Sequence, residues 1–471
     1  MAKKDRWFLP TNTDNFKMMV AQGLITSPDG FSPEKYYQDE LQNYPGFIPL
    51  FRNTIPGKTL KLIVSEQPGM IACLIEIDLS KITGTINTQK GDSVAIQEIQ
   101  DDLILLPAPL PLSVIKQIIF ASEKYKKELL NEQQLSSNFI LADLKLQSSK
   151  VDQKLFKADE QLDISGGNND SKEHNNPLNI DYQKTYAFGG LLGNLFYFSK
   201  NGGLSNDIYK AFSTSDKQDS IKNADELCIY QYFYQNNGEG DLLYLMYQRL
   251  IEKTINGSDF KNNIIELLES NDWDEKLKKR TLELSQKLRD FENNDTSISN
   301  KFCMAEKSLE RLLLMLFHRD SSEGLIDYQL DLFTEDDYVL FALLFGIRDK
   351  FIKIPEFIRA YQDLQNFLSF KMAEYAHLSN NSSIKFLDIK PPKTMQELLR
   401  TAKIKKQVVE KLALKTCVRT IISGDYKCEK GKNIYQGFIE PKYEIIEDEY
   451  FKTMSKKKID AALYNQLERL K

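Results

Sequence analysis

The sequence predicts an α+β protein: a small mixed α/β domain over residues 1–135, a flexible linker over 136–180 and a larger, mostly α-helical domain over 181–471. Three observations predict it. Apolar runs of strand length, KTLKLIV and MIACLIEIDL among them, crowd the first part. Apolar residues at helical spacing dominate the last part. Between them SGGNNDSKEHNNPLN is rich in Gly, Asn and Asp and almost free of apolar residues, a composition that cannot bury a core.

The opening stretch RWFLPTNTDNFKMMVAQGLI (Arg6 to Ile25) reads as strand, turn and short helix. Trp7, Phe8 and Leu9 form the strand, Pro10 to Asp14 the turn, and Phe16, Met19 and Val20 the helical face that Gly23 ends. Such a turn points polar side chains from a strand end, a common place for small ligands. PGFIPLFRNTIP is punctuated by proline and suits a loop lining a cleft. Lys58 to Val64 and Met70 to Leu79 follow as strands, the second apolar enough for burial on both faces. ITGTINTQKGDS reads as a strand entering a turn, Asp101 to Leu106 as a strand, and Val114 to about Leu130 as an amphipathic helix. Beyond the linker, helices are predicted over 182–200, 241–254, 260–270, 274–291 and 301–317. Thr334 with Asp337 and Thr394 with Glu397 make capping boxes, the second opening a basic helix near 395–421. Asn433 to Ile446 is strand-like.

Composition limits the functional classes. With 41% hydrophobic and 27% charged residues the chain is ordinary for a globular protein, and its net charge of -5 argues against uniform coating of a polyanion. A local basic patch remains compatible with it. The five cysteines lack CxxC spacing, and His174, His318 and His377 are far apart, so no metal motif is present and no metal is expected. No Walker A, GxGxxG or kinase signature occurs. The N-terminus lacks the apolar core of a signal peptide and no apolar run reaches membrane-spanning length, so a cytoplasmic protein without a membrane partner is expected.

TNTDNFKMMVAQGLI and QDDLILLPAPLPLSVIKQIIFAS (Gln100 to Ser122), with PGFIPLFRNTIP between them, together resemble the DarT family of ADP-ribosyltransferase toxins that modify thymidine in DNA. The resemblance covers about residues 5–122 and none of the helical remainder. It implies NAD as cofactor, with Thr11 and Asn15 contacting the dinucleotide and Arg52 pairing with its phosphates, as a bidentate guanidinium can. It places Asp102 at the catalytic carboxylate, which would stabilise an oxocarbenium-like state. Two positions depart from the family: Leu9 stands at its histidine, and Asp102, one methylene shorter, at its glutamate. Glu98 reaches that role only if the strand register shifts by four residues. Displacing a catalytic group by about 1 Å can lower a rate on the order of a hundredfold. The sequence therefore leans toward a noncatalytic form of this fold.

A second candidate lies from Arg400 to Lys432. Arg400, Lys403, Lys405, Lys406, Lys411, Lys415 and Arg419, with Lys427, Lys430 and Lys432, are opposed only by Glu410, Asp425 and Glu429. Leu398, Ile404, Val408 and Leu412 give that helix a docking stripe, leaving cations for a phosphate backbone. A solvated charged face is the plain alternative. CIYQYFYQ (Cys228 to Gln235) could stack bases, though a buried core explains it as well. The expected function is a nucleotide- or nucleic-acid-binding protein on a degenerate ADP-ribosyltransferase-like fold, in prokaryotic anti-phage defence, with DNA favoured over RNA. The alternatives are an active NAD-dependent transferase acting on DNA or protein, and a helical scaffold held by a protein partner in a defence complex.

Overall fold

The structure, a computed structural model, describes residues 5–31, 36–63, 70–87, 93–127, 149–157, 177–198, 260–293 and 362–390. It also describes single positions at 249, 310, 313, 342, 346 and 350–351, and three short strands at 427–429, 432–434 and 444–446. Helices and sheets are both present, so the chain is α+β. Among the described residues, one compact unit draws on Met1–Thr185 and Arg359–Pro392, and a second on Tyr186–Ile358 and Gly424–Lys471.

The first unit is built on strand β1 (Trp7–Asn12) and helix α1 (Thr13–Gln22), followed by β2 (Leu24–Ile25). The predicted turn contracts to a single cap. Asn12 takes extended backbone and its side chain accepts from the amides of Asp14 and Asn15, satisfying two donors that a helix start leaves open. Gly23 ends α1 at φ 79, a left-handed conformation that glycine adopts without a Cβ penalty.

Next come β3 (Phe47–Arg52), α2 (Gly57–Ile63), β4 (Ala72–Ile77), and the short β5 (Ile82–Thr83), β6 (Thr85–Asn87) and β7 (Ser93–Ala95). Strands β8 (Leu103–Pro107), β9 (Leu110–Pro111), β10 (Ile115–Phe120) and β11 (Lys150–Val151) complete this part. Six strands form one sheet in the order β11-β10-β4-β1-β3-β8, antiparallel except for the parallel β10–β11 pair. The dry layer on one face joins Phe8, Phe51, Leu74, Leu103 and Ile119 to Leu60 and Ile63 of α2, with Leu155 and Phe156 packed against it.

Four local expectations change here. The segment around Pro49 is strand β3, because its alternating Ile48 and Leu50 are buried and it pairs with both β1 and β8. Its recorded pairing with β1 stops at Trp7↔Arg52 and Phe8↔Phe51, so Pro49 sits beyond that ladder. The described part of KTLKLIV, Lys58 to Ile63, lies in helix α2, started after Pro56 and burying Leu60 and Ile63, three positions apart on one face. The predicted amphipathic helix from Val114 begins as a short 3-10 turn and then β10, whose Ile115, Ile118, Ile119 and Phe120 are buried between β4 and β11; residues 123–127 of the predicted span are helical. Part of the predicted linker is ordered: β11 and the 3-10 turn Gln153–Phe156 lie inside 136–180.

Helix α3 (Tyr182–Phe198) spans the boundary between the units in sequence; α4 (Phe260–Leu268) and α5 (Glu275–Asn293) belong to the second. These helices agree with the sequence pattern. In the second unit α3 packs closely at Gly190, where a Cβ would lie 2.7 Å from the Gly346 carbonyl oxygen. Helix α6 (Gln362–Ser379) and β12 (Lys385–Phe386) return to the first unit, where α6 packs on β9 and β2 and β12 pairs with β5. Gln365 Nε2 donates to the Val20 carbonyl and Ser369 Oγ accepts from the Leu112 amide. Strands β13 (Lys427–Glu429), β14 (Lys432–Ile434) and β15 (Glu444–Ile446) form an antiparallel sheet, of which β15 and the end of β14 fall in the expected strand-like tail, while β13 precedes it. The CIYQYFYQ stretch, both capping boxes and the basic helix lie outside the described residues.

Candidate functional site

The end of β1 and the start of α1 bring polar side chains into a buried corner. Thr11, Asn12 and Asn15 are each fully buried, and so is Asp39, which caps the 3-10 helix Glu40–Asn43. Asp39 Oδ2 accepts from Thr11 Oγ1 at 2.5 Å and from Asn15 Nδ2 at 2.8 Å. Its Oδ1 accepts from Tyr36 Oη at 2.6 Å and from the Leu41 amide at 2.9 Å. Asn15 also bonds the backbone of Tyr37 through both side-chain atoms. Burial pushes the Asp39 carboxyl above its usual range, against hydrogen bonds from Thr11, Tyr36 and Asn15 that favour the charged form. Burial likewise raises the Tyr36 hydroxyl and the thiol of Cys73, which pairs with Thr11 across the β1–β4 ladder.

Arg52 and Asp102 meet at the opposite end of β1. Arg52 pairs with Trp7, four residues from Thr11, or about 13 Å along a strand. Its amide donates to the Asp102 carbonyl at 2.8 Å, while Asp102 itself is exposed just before β8. The guanidinium donates to Asp5 Oδ2 at 2.6 Å and to the Gln100 carbonyl at 2.8 Å. Asp5 is held below its usual range by hydrogen bonds from Arg52 and Asn53. The four predicted N-terminal site residues thus form two pairs, Thr11 with Asn15 and Arg52 with Asp102. Leu9 is fully buried, and Glu98 is exposed in the 3-10 turn Ile96–Glu98. Arg400, Lys403, Lys405, Lys406, Lys411, Lys415 and Arg419 lie outside the described residues.

Sequence reasoning passes over three polar centres. Asp39 carries a weak signal, an Asp before ELQN at an N-cap position. Glu76 carries a stronger one: a single carboxylate inside MIACLIEIDL needs partners if the strand is buried. Those partners are Arg6 and Gln117 on Oε2 and Lys116 on Oε1. Burial opposes Glu76 ionisation, but these hydrogen bonds outweigh it and bring the carboxyl down to about 2. His377 in α6 donates through Nε2 to the Pro109 carbonyl, leaving Nδ1 to accept from Ser382 Oγ, each at 2.9 Å. Burial lowers its pKa to about 4.

Among the described residues no group of three His, Cys, Asp or Glu side chains is arranged to hold a metal, and no helix is long and apolar enough to cross a membrane. No protein-family profile matches the chain, and no curated protein and no solved structure matches it either.

Proposed function

We propose that this is a nucleic-acid-binding protein whose first unit is a degenerate, noncatalytic ADP-ribosyltransferase-like core, acting in prokaryotic anti-phage defence. The observation that carries the noncatalytic part is the engagement of Thr11 and Asn15. Their side-chain donors, which the DarT resemblance assigns to the dinucleotide, end on the buried Asp39 carboxylate. Leu9 adds to it, since a buried leucine at the family's histidine position offers no hydrogen bond. The nucleic-acid part rests on the sequence, whose basic run from Arg400 to Lys432 stands out in a chain of net charge -5. The neighbouring Arg52 and exposed Asp102 support a second reading, an active transferase with its cation and carboxylate at one strand end.

Incubation of the full chain with labelled NAD and, in turn, DNA, RNA and cell lysate separates the two. The proposal expects no label transfer to any acceptor, together with retention of DNA. Transfer that disappears in Asp102→Ala establishes the transferase instead.

A further inference from the structure

We propose that Asp39 is an internal ligand, and that residues 36–43 form a strap closing an anion site whose donors are Thr11, Asn12 and Asn15. The ligand class is an anionic dinucleotide, and in this respect the inference rests on the transferase-like reading above.

The side-chain donors lie at the first turn of a ten-residue helix, whose dipole favours negative charge; its first three amides are already bonded to the Ile71 carbonyl and the Asn12 side chain. Asp39 delivers that charge from within the chain. Two of the three donors, Thr11 Oγ1 and Asn15 Nδ2, end on one oxygen of its carboxylate. The third donor is unpartnered among the described residues. Asn12 Oδ1 caps α1 through the Asn15 amide at 2.9 Å, while Asn12 Nδ2 is buried and bonds none of them. Gln22 Oε1 and Thr26 Oγ1, in the same strand–helix–strand stretch, are also buried and unpartnered. Buried polar groups are seldom left so, and Asn12 provides spare donor capacity beside the two donors Asp39 consumes.

The strap's hold on this corner is polar. Tyr36 bonds Asp39, the Tyr37 backbone bonds Asn15, and Asp39 accepts from the Leu41 amide of its own strap. Leu41 is its buried apolar anchor, with a tilted contact between the Tyr36 and Phe31 rings at 5.2 Å. Tyr36 and Tyr37 stay half-buried. A phosphate oxygen can replace Asp39 bond for bond on Thr11 and Asn15, and can also engage Asn12. Withdrawal would return the Asp39 carboxylate to water.

The test compares the full wild-type chain with Asp39→Ala and Tyr36→Phe, titrated with NAD and with ADP-ribose, while amide exchange is followed over residues 36–43. If the closed strap limits the competent fraction, Asp39→Ala binds NAD at least about tenfold more tightly than wild type. Its strap amides exchange faster, and Tyr36→Phe moves both readings the same way by less. Equal NAD affinity in wild type and Asp39→Ala overturns the strap and leaves the dinucleotide reading standing. Faster exchange in a folded Asp39→Ala chain that binds neither ligand overturns the anion site, while DNA retention by that chain leaves the nucleic-acid reading standing. Should Asp39→Ala not fold, Tyr36→Phe decides: unchanged NAD affinity with faster strap exchange overturns the proposal.

Discussion

Arg6 and Glu76 are joined across the sheet, with Nη2 2.8 Å and Nε 3.2 Å from the same carboxylate oxygen. Glu76 is buried near the end of β4, opposite Phe8, so its charge requires compensation from neighbouring strands. Arg6 supplies part of it from the chain before β1, while Lys116 and Gln117 supply the rest from β10. The same guanidinium lies 3.6 Å from Asp152 and over the Phe8 ring at 4.8 Å. One carboxylate thereby ties together β4, β10 and the start of β1, and Arg6 extends the tie to the residue after β11.

Removing Glu76 will therefore weaken the first unit more than an exposed ion pair would. Glu76→Ala is expected to lower unfolding free energy by about 3 kcal/mol, the usual scale for breaking a buried pair. Because its folded pKa, about 2, lies below the usual 4.5, this stabilisation is present above pH 4.5 and is lost as pH falls toward 2. Urea unfolding of wild type and Glu76→Ala between pH 2 and 7 checks it. Curves that stay parallel across that range would show that Glu76 does not contribute through its charge.

His377 shares that sign of linkage, but through a buried neutral group. The buried ring is neutral, donating to Pro109 and accepting from Ser382, and its folded pKa of about 4 lies below the usual 6.5. The unfolded chain therefore binds the extra proton first. Stability is full above pH 6.5 and declines as pH falls toward 4, by up to about 3 kcal/mol. An NMR titration should show the His377 ring neutral at pH 6. A titration midpoint near 6.5 would contradict the buried, doubly bonded geometry.

Local signals account for what the sequence shows well. Asn12, Thr13 and Gly23 mark both ends of α1 within a few residues, and β4 declares itself through continuous apolar content. Segments decided by distant partners are misread. Ile115 to Phe120 has apolar residues that fit either a helix or a strand, and pairing with β4 and β11 selects the strand. Pro49 suggests a loop until β8 is seen beside it. The candidate corner is half visible for the same reason: Thr11 and Asn15 lie in one short motif, whereas Asp39 arrives from 24 residues beyond Asn15. The docking of helix α6 is hidden more deeply, since nothing in its composition tells that Gln365 will bond Val20, 345 residues away.

Gly190 offers a test of packing in the second unit. A Cβ there would lie 2.7 Å from the Gly346 oxygen and 2.9 Å from both the carbonyl carbon and oxygen of Lys350. These are backbone atoms, which cannot rotate away as a side chain could. Gly190→Ala should destabilise the chain by about 1–3 kcal/mol, despite alanine's better helix propensity. Thermal unfolding monitored by circular dichroism measures it, and an unchanged or raised midpoint would refute the close approach.

The basic run permits a prediction about salt. Each cation that neutralises a duplex phosphate displaces a condensed counterion, so log affinity falls against log salt with a slope of about 0.9 per contact. Lys405, Lys406 and Lys411 lie within seven residues of a segment whose only acid before Asp425 is Glu410. Replacing all three with glutamate should weaken DNA binding at low salt and flatten the slope by about 2–3. A loss of phosphate contacts alone would act similarly on unrelated sequences, because phosphates carry no sequence information. Fluorescence polarisation with two unrelated duplexes, from low to physiological salt, measures both quantities. An unchanged slope in a folded triple variant would remove this segment from the interface and turn the search for function back to the Asp39 corner.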